Sequence, residues 1–376
     1  MNDILIKNAV LIDPLKKSRK KGDILVKGDR IVSIGEDINE EAIQVIDAGG
    51  LYVSPGFTEN HTHIYHGGGD CNINADVIML PNLVTTAIDQ GSSGWSNFLM
   101  FKKLMDTSMM NIKCFLNVSN SGLITEDYYE NINPENFNEE MIRYTCEKYP
   151  DDIIGLKIRI CRDSVLDMGT APLERAVELA EDLNLPLSVH IKDVDSLEEY
   201  ASLLRKGDTW VHIFQQQGQT AFDENGRLRK CVRDASERGV LFDIAGGRSS
   251  FSIDMIKKGK EQGFETDFIG TDLVSYNVYQ RPLFSMVNMM NVYLNLGFDL
   301  YDIIEKVTVN PSRICGEEKD RASLEKGSTA DLAVFEVREK DYEIRDNHSG
   351  IIRADRMIYP MMTVKEGKVV YRSMDF

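Results

Sequence analysis

A repeated alternation of short apolar runs with amphipathic helical stretches is the feature that most constrains the fold of this 376-residue chain. Eight strand-like runs follow one another at spacings of roughly 20 to 40 residues. They end near Phe57, Ile88, Val118, Ile160, His190, His212, Ile244 and Gly270. The stretches between them have helical periodicity, as in residues 171–182. Strands that alternate with helices predict a parallel sheet covered by helices.

Side chains that can bind or bridge metal ions lie at or near the ends of several of these runs. They are two histidines separated by one residue, one histidine at the end of each of two later runs, a lysine inside a run and an aspartate after the last run. In chain order they are His61, His63, Lys157, His190, His212 and Asp272. The i, i+2 spacing of His61 and His63 points both imidazoles to one face of a strand. This set of side chains predicts a metal site.

Two architectures fit the alternation, a doubly wound open sheet and a closed (β/α)8 barrel. The candidate ligands come from the first, fourth, fifth, sixth and eighth runs. Only a closed barrel brings its first and last strands together. The fold prediction is therefore an α/β protein with a (β/α)8 TIM barrel, whose site lies at the carboxyl ends of the strands.

Both ends of the chain have a β-like pattern instead of the strand–helix alternation. Short apolar runs separated by turn residues occupy residues 3–47, and similar runs return between residues 330 and 371. Neither end has enough strands for a sheet of its own. We predict that residues 1–52 and 326–376 together form a small β-sandwich domain, and that residues 53–325 form the barrel.

Composition and charge restrict the partners of the protein. The formal net charge of −17 argues against nucleic acid or an anionic membrane surface as a partner. No apolar stretch approaches the roughly 20 residues of a membrane span, and the first residues lack a signal-peptide pattern. We therefore expect a cytoplasmic protein that acts on a small-molecule substrate, and homo-oligomer formation stays open.

Three segments resemble motifs of the amidohydrolase superfamily. The run Val-Ser-Pro-Gly-Phe-Thr-Glu-Asn-His-Thr-His in residues 53–63 resembles its P-G-F-x-D-x-H-x-H element, although Glu59 stands where the family has aspartate. Residues 307–313 resemble its late N-P-A segment, and residues 327–335 resemble its G-x-x-A-D-L-x-x-F strand. The resemblance covers the whole chain and lies within the branch of dihydroorotases, dihydropyrimidinases and deacetylases.

The resemblance implies a binuclear metal site. His61 and His63 would bind one ion together with Asp272, and His190 and His212 would bind the second. Lys157, N-carboxylated by carbon dioxide, would bridge the pair, because a carbamate supplies two anionic oxygens and an ammonium supplies none. Zinc is the metal that the imidazole and carboxylate donors suit best. The implied reaction is hydrolysis of an amide, or of an ester, in a small polar metabolite, with Asp272 as general base and then general acid.

Several alternatives stay open at this stage. A cyclic amidase of the dihydroorotase type would use the same ligands, and a catalytically silent relative would be expected to lack some of them. A mononuclear deaminase would not need Lys157. Asp272 could cap a helix, and Arg159 could either anchor a substrate carboxylate or pair with the carbamate. The residues with side chains suited to substrate contact are His66, Arg159, Arg248 and Tyr276.

Overall fold

The computed structural model of the chain describes residues 1–125, 129–247, 249–278, 280 and 285–376. The strands in chain order are β1 (Asn2–Asp13), β2 (Ser18–Lys27), β3 (Arg30–Gly35), β4 (Ala42–Asp47), β5 (Tyr52–Pro55), β6 (Phe57–Thr62), β7 (Val84–Gly94), β8 (Asn111–Asn117), β9 (Ile153–Cys161), β10 (Leu187–Lys192), β11 (Thr209–Val211), β12 (Leu241–Asp243), β13 (Leu332–Arg345), β14 (Ile351–Lys365) and β15 (Lys368–Arg372).

Helices occupy most of the connections between the strands. They are α1 (Ala75–Met79), α2 (Phe98–Met105), α3 (Glu139–Lys148), α4 (Arg162–Val165), α5 (Ala171–Asp182), α6 (Leu197–Leu203), α7 (Lys230–Arg238), α8 (Ile253–Glu261), α9 (Met286–Asn295), α10 (Leu300–Lys306), α11 (Val309–Ile314) and α12 (Glu318–Arg321). The predicted helix over residues 171–182 coincides with α5, which buries its apolar face in the main core. Among the described residues, no helix is long and apolar enough to cross a membrane.

Strands from both ends of the chain form one sheet, as predicted. Its order in the described residues is β15-β14-β13-β5-β1-β2-β3, and β4 also pairs with β1. The two ends meet where β13 runs antiparallel to β5, with Leu332 opposite Pro55 and Phe335 opposite Tyr52. A separate apolar core forms along these strands. The proposed domain boundary after residue 52 falls inside β5, and the division into two domains stays a prediction.

The barrel consists of parallel strands that neighbour one another in chain order. Within the described residues, β6 to β12 form a seven-stranded sheet, and all of its pairings are parallel. The predicted eighth strand is instead an irregular segment. It touches β12 through a bridge between Asp243 and Phe268, and β6 through a bridge between Thr62 and Leu273, which brings the ends of the sheet together. Asp272 has φ +53°, a left-handed conformation that interrupts an extended strand.

The apolar run that precedes the histidine pair divides between the two sheets. β5 belongs to the sheet of both termini, and β6 begins the barrel after a break at Gly56. A Cβ atom at Gly56 would lie 2.2 Å from the Thr85 hydroxyl oxygen, so the close approach requires glycine. His61 therefore lies within a fully buried barrel strand, and His63 follows directly after the end of that strand.

The long hairpin of β13 and β14 extends well beyond the apolar runs visible in the sequence. Its distal half packs against the barrel, where Ile344 and Ile352 join the main core. Asn291 of α9 binds the backbone of Ile358 through both polar atoms of its side chain. The hairpin tip, residues 346–350, contacts the loop that follows β12.

Candidate metal centre

A cavity of about 200 Å³ opens at the carboxyl ends of the barrel strands. All six side chains predicted as metal ligands line it. They are His61, His63, Lys157, His190, His212 and Asp272. The strand order explains the convergence, because β6 and the segment around Asp272 meet where the barrel closes.

His61, His63 and Asp272 form one potential ligand set. His61 Nε2 lies 3.6 Å and His63 Nε2 lies 3.5 Å from Asp272 Oδ1. Two atoms bound to one zinc ion at about 2.1 Å and at the tetrahedral angle are about 3.4 Å apart. Each of the two histidine nitrogens is therefore at a distance from Asp272 Oδ1 that fits shared binding of a divalent ion. His61, His212 and Asp272 also place one donor atom each within 4.8 Å of one another.

The rings of His190 and His212 lie against each other, and the ring of His212 also lies beside that of His61. Their centroids are 4.4 Å apart in an edge-to-face arrangement, and the centroids of His61 and His212 are 5.3 Å apart. Burial is the largest cause that lowers the pKa of His190 and His212, and nearby cations lower it further. Both imidazoles are therefore neutral at pH 7, which is the form that binds metal.

Hydrogen bonds set the tautomers of two of the histidines. Ser92 Oγ donates to Asp89 Oδ2 at 2.7 Å, so its oxygen accepts from His63 Nδ1 at 3.0 Å. His212 Nδ1 donates to the carbonyl oxygen of Ala245 at 2.8 Å, since a carbonyl can only accept. In both rings Nε2 then carries the lone pair and faces the cavity. Such partners orient metal-binding histidines.

Lys157 is the most unusual side chain of the site. It is 1% exposed on β9, and among the described residues its Nζ atom has no hydrogen-bond partner. Burial lowers its pKa from 10.5 to about 8, although Asp272 and other carboxylates oppose the change. Gly91 leaves room for its stem, because a Cβ atom there would lie 2.7 Å from Lys157 Cγ. A buried amine that loses its proton near neutral pH fits carboxylation by carbon dioxide.

Two buried carboxyl groups, those of Glu59 and Asp243, hold β6, the first strand of the barrel. Glu59 accepts hydrogen bonds from the backbone nitrogens of His61 at 3.1 Å and Thr271 at 2.8 Å, and burial is the largest cause that raises its pKa to about 8. Asp243 accepts from Asn60 Nδ2 at 2.8 Å and lies 3.7 Å from His61 Nδ1. The glutamate that replaces the family's aspartate thus ties β6 to the closing segment.

The four residues suggested for substrate contact lie in different places. Arg159 lines the cavity and pairs with Glu130 at 2.8 Å. Tyr276 lies beside the cavity, packed against an apolar cluster of loop residues. His66 is exposed and lies outside this cavity. Arg248 lies outside the described residues.

Sequence reasoning missed other residues that line the cavity. Lys192 lies two residues after His190 on β10, so the period-two alternation could have identified it. Tyr129, Ser249 and Ser250 come from loops and carry no periodic signal. The helix-cap role of Asp272 receives no support, because the next helix along the described residues is α9.

Comparisons with known proteins identify the family of the chain. The sequence model of the amidohydrolase family matches residues 167–370, which is more than half of the chain. A deacetylase of Agrobacterium fabrum is 28% identical over 352 residues, covering 92% of this chain and 86% of that protein. A deacetylase of Enterococcus faecalis is 27% identical over 371 residues, covering 98% of both chains.

Solved structures with the same architecture cover nearly the whole chain. The crystal structure of an adenine deaminase has a TM-score of 0.91 at 27% identity, and covers 99% of this chain and 100% of that one. The crystal structure of a dihydroorotase has a TM-score of 0.90 at 26% identity, and covers 98% of this chain and 99% of that one. Proteins of this family generally bind divalent metal ions. The chain is therefore a member of the amidohydrolase family and a hydrolase that acts on carbon–nitrogen bonds.

Proposed function

We propose that the protein is a binuclear metal-dependent amidohydrolase that removes an acetyl group from a small polar compound. The six candidate ligands that line the cavity would hold two divalent ions, most suitably zinc, with Lys157 N-carboxylated as the bridge. Deacetylases that are 27% and 28% identical over more than 90% of the chain favour this substrate class. An ester in place of the amide would require the same residues.

Lys157 carries the proposal. A lysine that is buried in a barrel and has no hydrogen-bond acceptor in the described structure destabilises the fold as long as its ammonium keeps its charge. Carboxylation replaces the ammonium with an anion between two sets of neutral imidazoles. A structural lysine at a barrel wall would be expected to reach an acidic partner, as Lys365 does with Asp331 at 3.0 Å.

Different residues of the cavity have different roles in the proposed reaction. Bound divalent ions lower the pKa of water and polarise a carbonyl group. The Asp272 carboxylate, which lies beside His61 and His63, takes the proton from the attacking water and returns it to the leaving nitrogen. His63 and His212 keep their Nδ1 protons because Ser92 and Ala245 accept them. Arg159 and Lys192 place positive charge beside the bound substrate.

Hydrolysis of a cyclic amide is the second candidate, favoured by the dihydroorotase structure with a TM-score of 0.90. The cavity of about 200 Å³ limits either substrate to a small molecule. The two functions require the same ligands and differ in what enters the cavity, so a substrate panel distinguishes them.

Metal content and a substrate panel test the proposal together. Protein purified without chelator should contain close to two divalent ions per chain, and zinc-loaded protein should hydrolyse at least one N-acetyl amino acid, N-acetyl sugar, acyl ester or cyclic amide. The Lys157→Ala variant should lose metal and turnover together, and acetate or propionate should restore part of both. Full activity with one ion per chain, or a Lys157→Ala variant with normal metal content, would refute the binuclear site.

A further inference from the structure

The tip of the hairpin formed by β13 and β14 contacts the loop that borders the metal cavity. His348 Nε2 donates a hydrogen bond to the carbonyl oxygen of Ser249 at 2.9 Å. Asp346 Oδ2 accepts one from the backbone nitrogen of Ile253, the first residue of α8, at 2.7 Å. The sheet of both termini therefore reaches the active-site side of the barrel through a single turn.

This turn is built to hold His348 in place. The carboxylate of Asp346, which is 7% exposed, accepts from the backbone nitrogens of His348 at 2.8 Å and Gly350 at 2.7 Å. A Cβ atom at Gly350 would lie 2.3 Å from Asp346 Oδ2, so the turn closes only over glycine. One aspartate thus fixes the tip internally and also joins it to α8.

Ser249 connects the tip to the cavity wall. Its carbonyl oxygen is bound by His348, and its hydroxyl accepts from Lys192 Nζ at 2.8 Å. Ser249, Ser250 and Lys192 all line the cavity. Lys192 follows His190 by two residues on β10, so its ammonium group stands on the same face as a candidate metal ligand.

The loop between β12 and α8 is held from two directions. Its first part hydrogen-bonds to the closing segment of the barrel, from Gly246 to Gly270 at 3.1 Å and from Gly247 to Thr271 at 2.9 Å. The backbone of its second part is held by the hairpin tip. Loss of the tip contact would free the half of the loop that carries Ser249 and Ser250.

We propose that His348 is a positioning residue of the active site, which holds Ser249 and, through its hydroxyl, the Lys192 ammonium at the cavity wall. The link between the hairpin and the loop is a property of the fold, and its effect on turnover rests on the proposed function. His348 touches no reacting atom. It acts by keeping a cationic side chain at a fixed distance from the bound substrate.

Hydrogen exchange followed by mass spectrometry tests the link without any substrate. In the His348→Ala protein, peptides covering residues 249–253, which include the Ile253 amide that donates to Asp346 at the tip, should exchange about fivefold faster than in the wild type, the factor expected for loss of one hydrogen bond. The His348→Gln protein, whose side-chain amide can donate to the same carbonyl, should recover part of the protection. Ser349→Ala is the matched control, since it alters an exposed residue of the same turn.

Each outcome of the experiment decides the proposal. Faster exchange confined to the loop, with β9 and β10 unchanged, supports it. Unchanged exchange in the loop, or faster exchange throughout the barrel, overturns it. On any substrate found in the panel, His348→Ala should raise KM severalfold and leave kcat and metal content near the wild-type values. An inactive wild type with a loop-specific exchange effect would refute the proposed function and leave the positioning role intact.

Discussion

Substitution of Lys157 by methionine should abolish turnover and yet stabilise the metal-free protein. Burial lowers the pKa of this lysine from 10.5 to about 8. One pKa unit corresponds to about 1.4 kcal/mol, so the buried ammonium destabilises the folded protein by about 3 kcal/mol at pH 7. Methionine has a similar length and no charge, and it removes this penalty with little change in packing.

The gain in stability should depend on pH in a defined direction. The folded-state pKa lies below the unfolded-state value, so between about pH 8 and 10.5 the unfolded wild type binds more protons than the folded one. The stability of the wild type therefore rises with pH across this window. The advantage of the Lys157→Met variant should fall from about 3 kcal/mol at pH 7 to about 1 kcal/mol at pH 9.5.

Urea unfolding of chelator-treated wild type and variant at pH 7 and pH 9.5 measures this difference. Lys365→Met is the control, because Lys365 is also buried but pairs with Asp331 at 3.0 Å. That change should destabilise the protein at both pH values, since it leaves a buried carboxylate with one ionic partner fewer. The argument would be contradicted if the Lys157→Met protein had a lower free energy of unfolding than the wild type. It would also be contradicted if the gain in free energy of unfolding were the same at both pH values.

Three further substitutions test the site at separate points. Asp272→Asn should retain metal but lower kcat about 10²–10⁴-fold, whereas near-normal turnover on a confirmed substrate would exclude the proton-transfer role. Ser92→Ala removes the acceptor of the His63 Nδ1 proton and should weaken zinc affinity about 10- to 100-fold in a competition titration, and unchanged affinity would show that Ser92 does not orient the ring. Gly91→Ala should lower the free energy of unfolding by about 1–3 kcal/mol in denaturant titration, because Gly91 has φ +84° and a Cβ atom would meet the stem of Lys157. A variant as stable as the wild type would show that the backbone relaxes.

The sequence predicts the barrel and the convergence of the six candidate metal ligands on one cavity because both depend on local patterns. Strand alternation places His61 and His63 on one face, and the order of the runs along the chain matches the order of the strands in the barrel. Residues two apart on a strand share a face, which would also have found Lys192. These relations need no knowledge of loops.

Other features depend on contacts between segments far apart in the chain. Glu130, in a loop after β8, pairs with Arg159, and no local sequence pattern predicts that contact. The closing segment around Asp272 reads as a strand by its apolar residues, but tertiary contacts with β6 and β12 hold it in an irregular path. The outer part of the hairpin is also not predictable from the sequence, because residues 338–345 are mostly charged and their pairing partners lie across a turn.

The pairing of β5 with β13 has a consequence for how the protein is made. Residues 52–55 leave the ribosome long before residues 332–335, so the central contact of their sheet cannot form until nearly all of the barrel has been synthesised. The early strands β1 and β2 carry apolar residues whose final core includes Leu332, Val334 and Met362. During translation these strands lack their native cover, and unpaired strand edges of this kind promote aggregation. Efficient production therefore depends on barrel folding that outpaces association between nascent chains, and slower translation before residue 332 should increase the need for chaperones.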